Sequence, residues 1–185
     1  GGDERLVVAS HSRSTIAESF RSLRTKLQYI SGEPCSKTIL LTSLHPGAGN
    51  TLCSINTASI LASATKRLLL LDFDMHRPKV HQSMQLNNDV GLSTFIVGKN
   101  TLKEIIQETE LANFSVITAG PIPPNASELV LSPRVNELFT QLKEQYDYII
   151  IDTPPVMLIS DSMVLLRSVD IGLFVMNTEK ATRSG

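Results

Sequence analysis

The stretch LLTSLHPGAGNTL, Leu40 to Leu52, joins an apolar run to a helical pattern through a turn rich in glycine. Gly47 and Gly49 let backbone N–H groups turn inward around an anion, with the N-terminus of the next helix behind them. Thr51 is placed to offer its hydroxyl to a magnesium ion. Where phosphate loops of this kind carry lysine, the chain has Asn50. A second constellation, LLLLDFDMHRP, puts Asp72 and Asp74 just past an apolar run. Strand alternation turns both to the same side, where two carboxylates repel unless a cation or a proton lies near, so the pair points to magnesium. The plainer alternative is a helix N-cap plus a surface acid. The third, YIIIDTPPV, ends in Asp152, with Pro154 and Pro155 stopping further extension. Each feature is weak singly; in the order Gly-rich loop, Asp-x-Asp, Asp-x-x-Pro, all at the ends of apolar runs, they indicate a phosphate and magnesium site. His45, beside the loop, reads as an exposed turn residue rather than a catalyst.

The elements that must hold these residues alternate along the chain. Strand-like runs occur at Thr38 to Ser43, Leu68 to Asp72, Phe114 to Ala119, Tyr148 to Asp152 and Ile171 to Met176, with helical patterns or loops between them. Such alternation predicts βαβ units. Near-continuous Leu, Ile and Val imply burial on both faces, so the expected fold is α/β: a doubly wound, mostly parallel sheet with helices on both faces, like that of P-loop NTPases. In such sheets ligands collect beyond the carboxyl ends of the strands, where all three motifs fall. The segment SPRVNELFTQLKEQY predicts a helix, with Ser132 as N-cap, Pro133 at the first helical position, and Val135, Leu138, Phe139, Leu142 and Tyr146 on one stripe. Nearer the N-terminus, Ile16, Phe20, Leu23, Leu27 and Ile30 recur at helical spacing. Beside that stripe, at about 100° per residue, Glu18, Arg21 and Arg24 share an arc. From the residues alone, this is a solvated face with weak local ion pairs. No repeat, low-complexity tract or linker divides residues 1–185, which read as a single domain.

Composition narrows the setting. The 185 residues are 42% hydrophobic with a formal charge of -1, enough for one packed core and without the basic excess of a nucleic-acid binder. Apolar runs are broken by Asp or Pro well short of the ~20 residues that a membrane helix needs. Two cysteines, Cys35 and Cys53, are too few for a disulfide framework or a metal site and suit a reducing cytosol. The leading Gly-Gly reads as a cloning remnant.

With the motifs in view, HPGAGNT, LLLLDFDMHRP and IIIDTPP resemble the Walker A, Walker A′ and Walker B motifs of the bacterial tyrosine kinases, the BY-kinases, which control capsule and exopolysaccharide synthesis. The resemblance runs from about Ile16 to the C-terminus. It takes in AGPIPPNASELVLSPR, Ala119 to Arg134, and ESFRSLR, similar to the family's Glu-x-x-Arg-x-x-Arg oligomerisation motif. It implies transfer of the γ-phosphate of ATP to tyrosine, usually in a C-terminal tyrosine cluster of a neighbouring subunit in a homo-oligomeric ring. It also implies work at the cytoplasmic face of the plasma membrane, coupled to a transmembrane polysaccharide co-polymerase region, fused or separate. By resemblance, the backbone of Gly47, Ala48, Gly49, Asn50, Thr51 and Leu52 would hold ATP or ADP. Thr51 and Asp152 would hold Mg2+ directly or through water. Asp72 and Asp74 would help bind Mg2+ and accept the tyrosine proton, without assignment of which does which. Glu18, Arg21 and Arg24 would join subunits, reversing the reading as a solvated face.

Two departures from the family pattern remove positive charge: Asn50 stands at the Walker A lysine, and His76 at the arginine of Asp-x-Asp-x-Arg, with Arg77 next in the chain as a candidate substitute. Phosphoryl transfer depends on positioning and electrostatic stabilisation, so the expected result is nucleotide binding with slow turnover. The tyrosines are Tyr29, Tyr146 and Tyr148, none in a C-terminal cluster, so the chain reads as truncated before one; Tyr146 and Tyr148 are expected to pack around the Walker B strand. The alternatives are a non-catalytic nucleotide-binding module of the co-polymerase and, ranked last, a partitioning-type ATPase. In the latter an additional loop lysine is expected where this chain has His45.

Overall fold

The computed structural model describes residues 6–10, 22, 37–43, 50–62, 67–154 and 169–176. Its strands are β1 (Leu6–Ser10), β2 (Lys37–Ser43), β3 (Leu68–Asp72), β4 (Ile106–Glu108), β5 (Phe114–Ile117), β6 (Tyr148–Asp152) and β7 (Ile171–Met176). They form a seven-stranded sheet in the order β1-β7-β2-β6-β3-β5-β4. Every neighbouring pair is parallel except β4 with β5. The helices are α1 (Asn50–Ala62), α2 (Val80–Ser83), α3 (Leu92–Ile96), α4 (Leu102–Ile105), α5 (Ala126–Val130) and α6 (Pro133–Gln145).

Two cores confirm burial on both faces. Successive side chains of a strand point to opposite sides. Leu69 and Leu71 of β3 and Ile149 and Ile151 of β6 enter one core with α3, α4, α5 and α6. Leu68, Leu70 and Ile150 enter the other with Ala58, Leu61 and Ala62 of α1 and Val80 of α2. The unbroken LLLL of β3 is therefore the pattern of a central strand with no wet face.

The helix expected after Ser132 forms as read. Its hydroxyl accepts the Arg134 N–H at 3.2 Å, Pro133 opens the first turn, and Val135, Leu138, Phe139 and Leu142 are buried. Tyr146, where the chain turns extended, packs on the same core, and Tyr148 packs on the opposite one. The third predicted strand is shorter than expected. It stops at Ile117, because the carbonyls of Thr118 and Ala119 accept N–H groups of Leu92 and Ser93 at 2.8 and 2.9 Å instead of continuing a ladder. The stripe from Ile16 to Ile30 lies outside the described residues. No helix among the described residues is long and apolar enough to cross a membrane.

Candidate functional site

The strand order decides where the motifs meet. β6 lies between β2 and β3, with Asp152 in register with Leu41 on one side and Asp72 on the other. Helix α1 follows the Gly-rich segment and packs on the sheet. From its first turn Thr51 Oγ1 donates to Asp152 Oδ2 at 3.1 Å, and from one turn further Ser54 Oγ donates to Asp152 Oδ1 at 3.0 Å. Residues of the first and third motifs, about a hundred positions apart, are thus joined through one carboxylate. Ser54 was missed in the sequence. The available signal was its spacing, since i and i+3 share a helix face and Thr51 already faced the site.

Asp72 differs from what strand alternation predicts. β3 ends at Asp72, so Asp74 is not its neighbour on a strand face. The chain turns instead, and the Asp74 N–H donates back to Asp72 Oδ1 at 3.0 Å while Val80 N–H reaches Asp72 Oδ2 at 3.3 Å. Asp72 is fully buried, whereas Asp74 is half-buried. Asp74 Oδ1 accepts the N–H groups of His76 at 3.1 Å and Arg77 at 2.9 Å, closing an Asx-type turn. Phe73 N–H donates to the Asp152 carbonyl at 2.8 Å, pinning the start of this loop to β6.

Burial dominates the electrostatics. It pushes the Asp72 carboxyl from its usual 3.8 up to about 8, reinforced by the Asp152 charge and opposed by the two backbone N–H donors. Burial likewise raises Asp152 to about 6, while Ser54, Thr51 and the more distant Lys79 charge pull it down and Asp74 pushes it up. Asp152 therefore ionises first, and burial, reinforced by the Asp152 charge, holds the proton on Asp72. The Thr51 hydroxyl and the carboxylates of Asp72, Asp74 and Asp152, at the carboxyl ends of central strands, are all oxygen groups, the donor type that suits a hard cation such as Mg2+. Among the described residues no group of three or more His, Cys, Asp or Glu has metal-binding spacing, so these side chains make no closed cage. Mg2+ is commonly bound through one or two protein oxygens, with water and phosphate completing its shell, and the residues fit it in that way.

Of the other predicted site residues, Leu52 is 59% exposed on α1. Asn50 opens α1, but its side chain lies outside the described structure, as do Gly47, Ala48, Gly49 and His45 and the trio Glu18, Arg21 and Arg24.

The sheet order, the helix that follows the Gly-rich segment and the paired acidic strand ends define an α/β domain of the P-loop NTPase-like class. Residues 36–185 match the family described as an AAA domain. The chain is 38% identical over 179 residues to the putative tyrosine-protein kinase CapB of Staphylococcus aureus, covering 97% of this chain and 78% of that protein. It is 35% identical to the tyrosine-protein kinase etk of Escherichia coli K12, covering 95% of this chain but 25% of that longer protein. Among solved structures, the chimerical protein CapA2B2 superposes with a TM-score of 0.78 at 31% identity, covering 94% of this chain and 82% of that one. The septum site-determining protein MinD of Pyrococcus horikoshii, solved with Mg-ADP, shares the fold at 21% identity and a TM-score of 0.65, covering 79% and 60% of the two chains. The chain belongs to the bacterial tyrosine kinases, the BY-kinase family.

Proposed function

We propose that this chain is the ATP- and Mg2+-dependent protein-tyrosine kinase domain of a capsule or exopolysaccharide system, slowed by Asn50 at the Walker A lysine position. The observation that carries this reading is the join of Thr51 and Ser54 to Asp152, with Asp72 in register beside it, next to the opening of α1. That is where an open parallel sheet binds ligands, and the putative kinase CapB and the kinase etk are among the relatives.

The backbone from Gly47 to Leu52 cradles the phosphates, and Thr51 offers its hydroxyl to Mg2+. Bound there, Mg2+ would neutralise charge on the phosphate oxygens. Asp152 orients the Thr51 hydroxyl and would hold Mg2+ directly or through a water. Asp72, buried and bonded to two backbone N–H groups, holds the loop that carries Asp74. Asp74 is the accessible carboxylate and takes the phenolic proton as the tyrosine oxygen bonds to the γ-phosphorus and ADP leaves. Glu18, Arg21 and Arg24 join subunits in a ring, with the acceptor tyrosine in a neighbouring subunit or another protein. The ring works on the cytoplasmic side of the membrane with a transmembrane co-polymerase region. No nucleic acid takes part.

The second reading, a nucleotide-binding regulatory module without phosphotransfer, is favoured by one residue, the neutral Asn50. Calorimetry with ATP and ADP, with and without Mg2+, and phosphotyrosine formation by the full-length protein with its membrane partner separate the two. Magnesium-dependent binding with slow phosphorylation is expected. Binding without any phosphorylation favours the module, and no nucleotide binding at all removes both readings.

A further inference from the structure

Among the described residues the site carries more negative charge than positive. Asp74 and Asp152 bring negative charge to it beside a protonated Asp72, a polyphosphate would add more, and Asn50 is neutral. Cations are available on the loop between β3 and α2, so its construction matters. Both ends of residues 74–80 are tied to the same buried carboxylate, through Asp74 N–H and Val80 N–H. Asp74 gathers the middle through His76 and Arg77 N–H. Met75 is 2% and Val80 0% exposed, and they anchor the loop in the two opposite cores. The backbone is therefore held firmly at the carboxyl edge of the sheet, while the side chains of His76, Arg77 and Lys79 are exposed.

Lys79 immediately precedes the Val80 N–H bonded to Asp72. Its ammonium makes no hydrogen bond or ion pair among the described residues, and it lies near enough for its charge to act on Asp152. A lysine on a fixed backbone with a free four-carbon stem is a mobile point charge, the property that phosphate loops exploit in their own lysine. We infer that Lys79 supplies the cation for the terminal phosphates of a nucleoside triphosphate at the site where Asn50 leaves no charge. The inference rests on the nucleotide-site reading above and moves the compensating role from Arg77, the candidate in the sequence, to the residue beside the Asp72 clamp.

The test uses the full-length protein with fluorescent N-methylanthraniloyl ATP and ADP in Mg2+, together with phosphorylation rates. The variants are Lys79→Met, Lys79→Arg and Arg77→Met, each with Asn50 and with Asn50→Lys. Lys79→Met should weaken ATP binding about 10-fold, the scale of one charge-assisted hydrogen bond, and ADP binding less, with phosphorylation falling at saturating ATP. Its melting temperature should equal the parent's, and Lys79→Arg should keep most of the affinity. In the Asn50→Lys background the loss should shrink to less than about threefold, because the restored lysine performs the same task. Unchanged ATP affinity in Lys79→Met, an equal loss in both backgrounds, or a loss confined to Arg77→Met overturns the inference while leaving the nucleotide site standing. A parent protein that binds neither nucleotide overturns the site reading, and the inference with it.

Discussion

Asp72 and Asp152 are register partners at the ends of β3 and β6, so the metal-free protein holds two carboxyl groups where water cannot screen them. The folded state keeps a proton on Asp72 up to about pH 8, whereas the unfolded chain releases it near 3.8. Between those values the folded state binds more protons than the unfolded one, so stability falls as pH rises. The contribution of Asp72 is fully present below about pH 4 and is lost as pH passes through about 8. Thermal melts of the metal-free protein should therefore show a decline over this window that Asp72→Asn flattens, whatever its absolute stability. Mg2+ with ADP, bound as proposed beside the ionised carboxylates, should restore stability most at the alkaline end. A pH slope unchanged by Asp72→Asn would mean that Asp72 is ionised in the folded protein throughout.

At the scale of elements, short helices are held less by their own length than by what caps them. Helix α3 is five residues long, below what is stable alone, and its first N–H groups are taken by the Thr118 and Ala119 carbonyls at the end of β5. That union brings two chain segments into backbone contact at Gly91. A Cβ there would fall inside contact distance of the Thr118 carbonyl and 2.5 Å from the Gly120 nitrogen. Gly120 has φ +81° and is further fixed by Asn88, which accepts its N–H at 2.9 Å and donates to its carbonyl at 3.0 Å. Gly98, also at positive φ, has open space around it. Gly91→Ala should therefore cost about 3 kcal/mol through forced displacement of backbone, against about 1 kcal/mol for Gly98→Ala, which meets only conformational strain. Urea denaturation of both variants checks this, and equal costs would show that the close approach is relieved elsewhere.

For the whole molecule, the arrangement of subunits is the remaining property that the motifs imply. Guanidinium and carboxylate groups sharing one helical arc can form bidentate contacts with a matching surface, which is the physical basis for assigning Glu18, Arg21 and Arg24 to assembly. These residues lie outside the described structure, so the assignment is tested in solution. Arg21→Ala with Arg24→Ala in the full-length protein should lower the assembled mass measured by light scattering. An unchanged mass would leave the trio as the solvated face that the residues alone suggest.

The strands that became the centre of the sheet were legible because each is a local run of apolar residues bounded by turn or acidic residues, as in LLLLD and YIIID. Helix α6 was legible for the same reason, its cap and its stripe lying within fifteen residues of one another. Strand β4 was not, because it is three residues long and is defined only by its pairing with β5. Strand β1 is a five-residue edge whose partner, β7, lies at the other end of the chain. The sequence by itself determined which residues could do chemistry and that the sheet is covered on both faces, since residue type and period are local properties. Only the tertiary structure decided that β6 inserts between β2 and β3, that Ser54 joins Thr51 on Asp152, and that Asp72 turns inward to hold its own loop while Asp74 stays accessible. Those outcomes depend on pairing between distant segments and on where a strand stops, and neither is encoded in the period of the side chains.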